Sequence, residues 1–198
     1  MLGVSLLLIG CSDDNGEKPV SNGTSGTQQP VSYDPYTNEF GQFEIISRRE
    51  QLELTEAAND ISLQIDSIEL GKVKFSDDYA STYANMTDDE GYVSYIKAHM
   101  KIDAPVDELK ENTVFYAYQA SIQTNTGHST QSESTFSDKV SIQNNEMPQL
   151  DGDIYFLLSD YDELESVTIT VPAPFDKETN LSISDNLTFT IDLTENNK

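Results

Sequence analysis

From about residue 40 onward, apolar side chains recur at every second position and almost nowhere at helical spacing. Ile61, Leu63 and Ile65 alternate with Ser62, Gln64 and Asp66. Ile96, Ala98, Met100 and Ile102 alternate with Lys97, His99 and Lys101, and Val167, Ile169 and Val171 with Thr168 and Thr170. Leu187, Phe189, Ile191 and Leu193 repeat the pattern near the C-terminus. Successive strand residues point to opposite faces, so a period of two marks strands that bury one side. Ile154-Tyr155-Phe156-Leu157-Leu158 is a continuous apolar run, the mark of a strand covered on both sides. Pro105, Pro172 and Pro174 stop strands, and Ala58-Asn59-Asp60, Asp151-Gly152 and Thr126-Gly127 read as turns. About seven to nine strands with no long amphipathic helix predict an all-β fold, an antiparallel β-sandwich.

Two stretches resist a simple alternation. After Ser67 the apolar parity moves to Ile68 and Leu70, then to Val73 and Phe75. A one-residue slip would turn every side chain to the wrong face. A bulge near Asp66-Ser67 and a second irregularity at Gly71 are therefore expected in one long, bent strand. Val114, Tyr116, Tyr118, Ala120 and Ile122 are in phase and predict a continuous strand. Residues 76–91 carry an acidic, polar sequence that reads as a connection.

The N-terminal part has a different character. Residues 12–38 are rich in Gly, Ser, Thr, Asn, Gln and Pro, with no hydrophobic period. Such a segment buries too little apolar surface to offset its ordering entropy, which predicts a disordered tether reaching about 30 Å. Tyr33 and Tyr36 fall inside it. Ahead of it, Leu6-Leu7-Leu8-Ile9 ends in Gly10 and Cys11, the single cysteine. That apolar run is too short to span about 30 Å of hydrocarbon as a helix, but has the length of a signal-peptide core.

Leu8-Ile9-Gly10-Cys11 resembles the lipobox of bacterial lipoproteins. The resemblance implies cleavage between Gly10 and Cys11 and a diacylglyceryl lipid on the Cys11 sulfur. It also implies an extracytoplasmic, lipid-anchored location on a cell surface, as in Gram-positive bacteria. No Lys or Arg precedes the apolar run, so the expected cationic start of the signal would lie upstream of Met1. The expected organisation is a signal peptide over residues 1–10, a lipidated cysteine and flexible linker over 11–38, and a sandwich over 39–198. The order of elements in that last part includes Tyr95…Met100-Lys101-Ile102, Gly152 before an apolar strand, Glu165-Ser166-Val167-Thr168-Ile169-Thr170-Val171 and Phe189-Thr190-Ile191-Asp192-Leu193. It is similar to telokin-like, immunoglobulin-like domains attached to lipoprotein signals. That family implies a fold and a location, and no catalytic residue.

Charge narrows the partners. Asp and Glu number 35 against 11 Lys and Arg, a formal net charge of −24. Such a field repels nucleic acid, so no nucleic-acid partner is expected, while it attracts cations and cationic polymers. With one cysteine there is no internal disulfide.

Catalytic residues are not expected. His99 shares a strand face with Lys97 and Lys101, and His128 sits in a turn, so both are expected at the surface. Neither belongs to a zinc-binding spacing. No Gly-x-Ser-x-Gly elbow marks a hydrolase nucleophile. Asp151-x-Asp153 and Asp160-x-Asp162-Glu163 place carboxylates in phase, a weak pattern for calcium, at opposite ends of the apolar run between them. Asp88-Asp89-Glu90 has no ligand spacing. The reading is a non-enzymatic binding or accessory protein of the envelope, held to the membrane by its lipid. Its partner would be an envelope protein or an extracellular ligand. The competing readings are a calcium-dependent module, a hydrolase built on loop residues, and a spacer without a ligand.

Overall fold

The computed structural model describes residues 33–109, 111–143, 147–159 and 163–194. In chain order its strands are β1 Tyr36–Thr37, β2 Gly41–Arg49, β3 Leu54–Ala58, β4 Ile61–Phe75, β5 Val93–Asp103, β6 Thr113–Tyr116 and β7 Ser121–Thr124. There follow β8 Ser129–Gln131, β9 Ser141–Ile142, β10 Asp151–Leu158, β11 Ser166–Val171, β12 Phe175–Asp176, β13 Leu181–Ser182 and β14 Leu187–Asp192. One short helix, α1 Asp77–Tyr83, lies between β4 and β5. All the paired strands of the described residues are antiparallel, the arrangement in which one face is most often left to solvent.

Three sheets result. The largest runs β1-β2-β4-β5-β10, with β3 beside β4 below the end of β2. A second runs β14-β11-β7-β8, and a third β13-β12-β6-β9. Ile61, Leu63, Ile65, Ile96, Met100, Ile154 and Phe156 of the large sheet meet Ile122, Val167, Ile169 and Phe189 of the second, and Phe115 of the third. This is the sandwich expected from the sequence. A bridge from Ser132 to Phe156 joins its two main layers along one edge.

The expected bulge is present: pairing of β4 with β5 shifts between Ile65 and Ser67, and β2 has a matching shift between Ile45 and Ser47. Gly71 is different. It pairs in register with Tyr95 on one side and Ile45 on the other, so the parity change there is no slip of the strand. Instead, the buried face changes. Ile68 and Leu70 look into the sandwich, whereas Val73 and Phe75 look the opposite way into a second core. Phe43, Val93, Tyr95, Tyr155 and Leu157 lie in that second core with Phe136 and Tyr83. Gly71 gives room to Tyr95: a Cβ there would stand 2.5 Å from the phenol oxygen.

Several other expectations are corrected. Residues 33–38, assigned to the linker, carry β1, and Tyr36 stacks on Phe43 with ring centroids 4.9 Å apart. Residues 77–83, read as a connection, form α1, whose Tyr83 stacks on Phe75 at 4.4 Å. The strand expected from Val114 to Ile122 is broken by a 3-10 turn at Ala117–Gln119. It leaves the third sheet and enters the second there, so Phe115 joins the core and Tyr116 and Tyr118 stay partly exposed. Asp151 and Gly152 are strand residues of β10 rather than a turn. Gly152 lies under Asp138, whose Cβ is 2.5 Å from where a side chain would begin.

Candidate functional site

Antiparallel register sets outward residues of neighbouring strands in rows across the large sheet. Arg48, Glu69, Lys97 and Tyr155 form one row over β2, β4, β5 and β10. Ser67, His99 and Asp153 form the next. The preceding row is Ile45, Gly71, Tyr95 and Leu157. Aromatic residues cover that side of the sheet and solvent meets the other, so the charged row lies along the seam. In a chain so short of cations, the convergence of Arg48 and Lys97 on Glu69, with His99 beside them, is the densest polar feature of the described residues.

Glu69 is its centre and is 2 % exposed. One carboxylate oxygen, Oε2, accepts from Arg48 Nε at 2.8 Å and from the guanidinium Nη2. The other, Oε1, accepts from the Tyr95 hydroxyl at 2.7 Å and faces Lys97 Nζ at 3.3 Å. Lys97 also lies 3.6 Å from Asp153 Oδ2, and His99 Nδ1 is 2.9 Å from Asp153 Oδ1. The hydrogen bond to Glu69 raises the Arg48 pKa above its ordinary value. Burial pushes the Tyr95 phenol far up, and the Glu69 charge adds to it; burial likewise raises Tyr155. A carboxylate removed from water is tolerated only when its lone pairs are filled by good donors. Here every lone-pair direction has a partner. The group is a clamp across four strands whose centre, Glu69, is closed to a reacting molecule, while Asp153 and His99 at its edge are each 36 % exposed.

An aromatic roof seals the clamp on one flank. Phe136 touches Phe40 at 5.3 Å, Phe75 at 5.7 Å and Tyr155 at 5.4 Å, centroid to centroid. Its loop is held by hydrogen bonds from Tyr155 N to Ser137 Oγ, 2.9 Å, and from Asp153 N to Asp138 Oδ2, 2.7 Å. The roof therefore fixes the β10 end of the charged row.

The two histidines were both expected at the surface, and both are at least partly solvent-accessible. Each also has one polar partner that chemistry could use. His99 has a carboxylate, Asp153, but no hydroxyl or thiol nucleophile bonded to it among the described residues. His128 has Ser159, with Nε2 and Oγ 3.3 Å apart, but no carboxylate bonded to its ring among the described residues. The two halves of a triad lie near opposite ends of β10, about 20 Å apart at 3.3 Å per residue. They cannot act together.

Of the calcium candidates, Asp153 is occupied by Lys97 and His99, and the Lys97 ammonium beside its carboxylate opposes a second cation. Asp151 is exposed, and Glu163 sits in a left-handed turn at φ 62° whose carbonyl accepts from Asn125 Nδ2 at 3.0 Å. Asp160 and Asp162 lie outside the described residues, as do Gly10 and Cys11. Among the described residues, no three His, Cys, Asp or Glu side chains are grouped to hold a metal. Reasoning from sequence missed Arg48, Glu69, Tyr95 and Lys97. The available signal was Glu69 itself, a charge between Ile68 and Leu70 in a strand otherwise apolar at that point.

No known protein family matches the chain, and no curated protein is similar to it. Its fold is similar to a solved structure from Listeria monocytogenes EGD-e, a protein described as functionally unknown. The TM-score is 0.52 at 15 % identity, over 78 % of this chain and 89 % of that one. At that identity the likeness speaks for the sandwich fold alone.

Proposed function

We propose that this chain is a lipid-anchored, non-enzymatic binding or accessory protein of a bacterial envelope, carried on Cys11 and presented outward by the residues that follow. The observation that carries the non-enzymatic part is the state of the charged row. Glu69, Lys97, Asp153 and Arg48 spend their donors and acceptors on one another. A general acid, base or nucleophile needs an open approach and a partner that can move a proton; Glu69 is buried, and the exposed His99–Asp153 pair has no hydroxyl or thiol nucleophile bonded to it among the described residues. The anchor part rests on the Leu8-Ile9-Gly10-Cys11 lipobox and the polar sequence after it.

Expression in a Gram-positive host with an alkyne-bearing palmitate tests the anchor. The intact chain takes up label and sediments with membranes, whereas Cys11→Ala loses the label and passes into the medium. Label retained in Cys11→Ala would refute it. For the non-enzymatic reading, a panel of ester, phosphate and glycoside substrates is offered to the wild type and to a His99→Ala/His128→Ala form. Turnover that the double substitution abolishes would overturn that part alone.

A further inference from the structure

Lys97 reaches from β5 toward two carboxylates, with Nζ 3.3 Å from Glu69 Oε1 and 3.6 Å from Asp153 Oδ2. Its side chain is 15 % exposed, and Nζ lies 5.8 Å from the centre of the Tyr155 ring. The two carboxylates are not equivalent. Both oxygens of Glu69 are engaged, Oε2 by Arg48 and Oε1 by the Tyr95 hydroxyl at 2.7 Å. Asp153 stands at the seam, with His99 Nδ1 2.9 Å from Oδ1 and Lys97 on the side of Oδ2. Strand register keeps these groups together. Lys97 pairs with Tyr155 and His99 with Asp153, so Lys97 and Asp153 are diagonal neighbours on one face of β5 and β10.

An amine, a carboxyl group, and a second, buried carboxylate touching the amine are the parts of an amide condensation. Groups held with their reacting atoms about 3–3.5 Å apart behave as if present at about 10⁵–10⁸ M. Lys97 Nζ is 3.6 Å from an oxygen on the carbon it would attack. We propose that Lys97 and Asp153 condense within the folded chain to an isopeptide bond that staples β5 to β10. Glu69 Oε1 takes a proton from the Lys97 ammonium, which frees the Nζ lone pair, and hands it to Asp153 Oδ2. Nζ then attacks Asp153 Cγ, and the carbonyl electron pair gathers on Oδ1, which faces His99 Nδ1. A second proton passes from Nζ through Glu69 to Oδ2. The carbonyl re-forms as the Cγ–Oδ2 bond breaks, and Oδ2 leaves with both protons as water. One C–N bond replaces one C–O bond, nothing is oxidised or reduced, and Glu69 ends as the carboxylate it began as.

The surroundings choose Asp153 over Glu69 as the electrophile. Arg48 holds Glu69 ionised and buried, whereas Asp153, 36 % exposed, gives the released water a way out. Charge stays balanced as well. Arg48 and Lys97 face two carboxylates before the bond; afterwards Arg48 and Glu69 remain, with the new amide N–H beside Oε1. The bond closes the chain between residues 97 and 153 and restrains the unfolded state as a disulfide would, in a chain whose single cysteine allows no internal disulfide. It forms once per molecule without turnover, so it is compatible with a non-enzymatic protein. It concerns the sandwich only and does not depend on the anchor.

Mass spectrometry of the full chain, unfolded and digested with trypsin, tests it. Lys97 resists cleavage, and residues 75–101 run joined to residues 140–177 as one branched species. That species is about 18 Da, one water, lighter than its two arms together. Lys97→Met and Asp153→Ala abolish the branch. Glu69→Gln, shown to be folded by circular dichroism, abolishes it or slows its appearance about ten-fold or more after refolding. Lys72→Met serves as the control, since Lys72 and Asp88 form a closer pair at 3.0 Å away from Glu69; the branch persists in it. Complete cleavage at Lys97 in the wild type, a branch to residues 50–72 instead, or a branch surviving in Asp153→Ala overturns the proposal. Linkage in folded Glu69→Gln at the wild-type rate overturns the proton relay.

Discussion

Replacing Arg48 by Met removes the guanidinium from Glu69 while keeping most of the aliphatic stem. Glu69, 2 % exposed, then loses both donors to Oε2 and keeps Tyr95 and Lys97 on Oε1. Breaking a buried ion pair from one side costs about 3–5 kcal/mol when the remaining charge has nothing else. The two surviving partners and the 31 % exposure of Arg48, which lets water reach the vacated place, bring the expectation down to about 2–3 kcal/mol. For a domain of this size that is a fall of about 4–12 °C in thermal midpoint. Glu69→Met carries a smaller penalty, because Arg48 is wetted and Lys97 retains Asp153. The decisive measurement is the cycle. Urea unfolding of Arg48→Met, Glu69→Met and the double form at neutral pH should give a coupling of about 2 kcal/mol, with Arg48→Met nearly neutral once Glu69 is gone. An Arg48→Met penalty below about 0.5 kcal/mol, or one undiminished without Glu69, would refute the clamp.

Tyr95 and Tyr155 have phenol pKa values raised by burial. A raised folded-state value means that the native state holds the proton longer than the unfolded chain. The corresponding stability is whole below pH 10 and declines above it, by about 1.4 kcal/mol per pH unit for each phenol. Alkaline titration followed by ultraviolet absorbance should show both rings ionising only on unfolding; ionisation of every tyrosine near pH 10 in folded protein would contradict it. Gly71→Ala forces a methyl against the Tyr95 ring and the Glu44 carbonyl, 2.5 and 2.6 Å away, and should destabilise by about 1–3 kcal/mol or more in thermal melts. Gly127→Ala, at φ +86° with nothing within 4 Å, should cost only about 1 kcal/mol, so equal penalties would rule out the steric argument. Phe136→Ala removes the ring that meets Phe40, Phe75, Tyr83 and Tyr155. Amide exchange should accelerate in α1 and its flanks while Ile122, Ile169 and Phe189 stay protected; uniform acceleration would show that the two cores do not open separately.

The strands that were plain in the sequence are those with one covered face along their whole length. β11 and β14 bury every second residue without interruption, so period two alone identifies them. β4 misled the reading for a physical reason: its apolar residues change parity where the covering layer changes sides, and alternation cannot distinguish that from a register slip. Residues 113–124 failed differently. The 3-10 turn at Ala117–Gln119 resets the phase, and nothing in Tyr116-Ala117-Tyr118-Gln119 announces it. β1 and α1 are too short to carry a period, and contacts with distant residues such as Phe43 and Phe75 hold them. The clamp was legible in part, since Glu69 interrupts an apolar stretch. Its partners were not, because pairing Glu69 with Lys97 and Arg48 requires the register of three strands.

β1 has a mechanical consequence. It folds back on β2 as a hairpin whose open end is Tyr36, paired with Phe43. A pull on the chain at Tyr33 first strains that ring's contacts with Arg48, its hydroxyl bond to the Arg48 carbonyl at 3.3 Å and the guanidinium 5.7 Å from its centroid, and then loads the hairpin's hydrogen bonds one after another, as in unzipping. Two residues of strand and one ring stack give way at low force and release a short length of slack. The pull then meets β2, which is bonded to β4 from Gly41 to Arg49 and tied at its far end by Arg48. The domain thus carries a soft first stop ahead of a stiff one, able to absorb a tug without opening its cores.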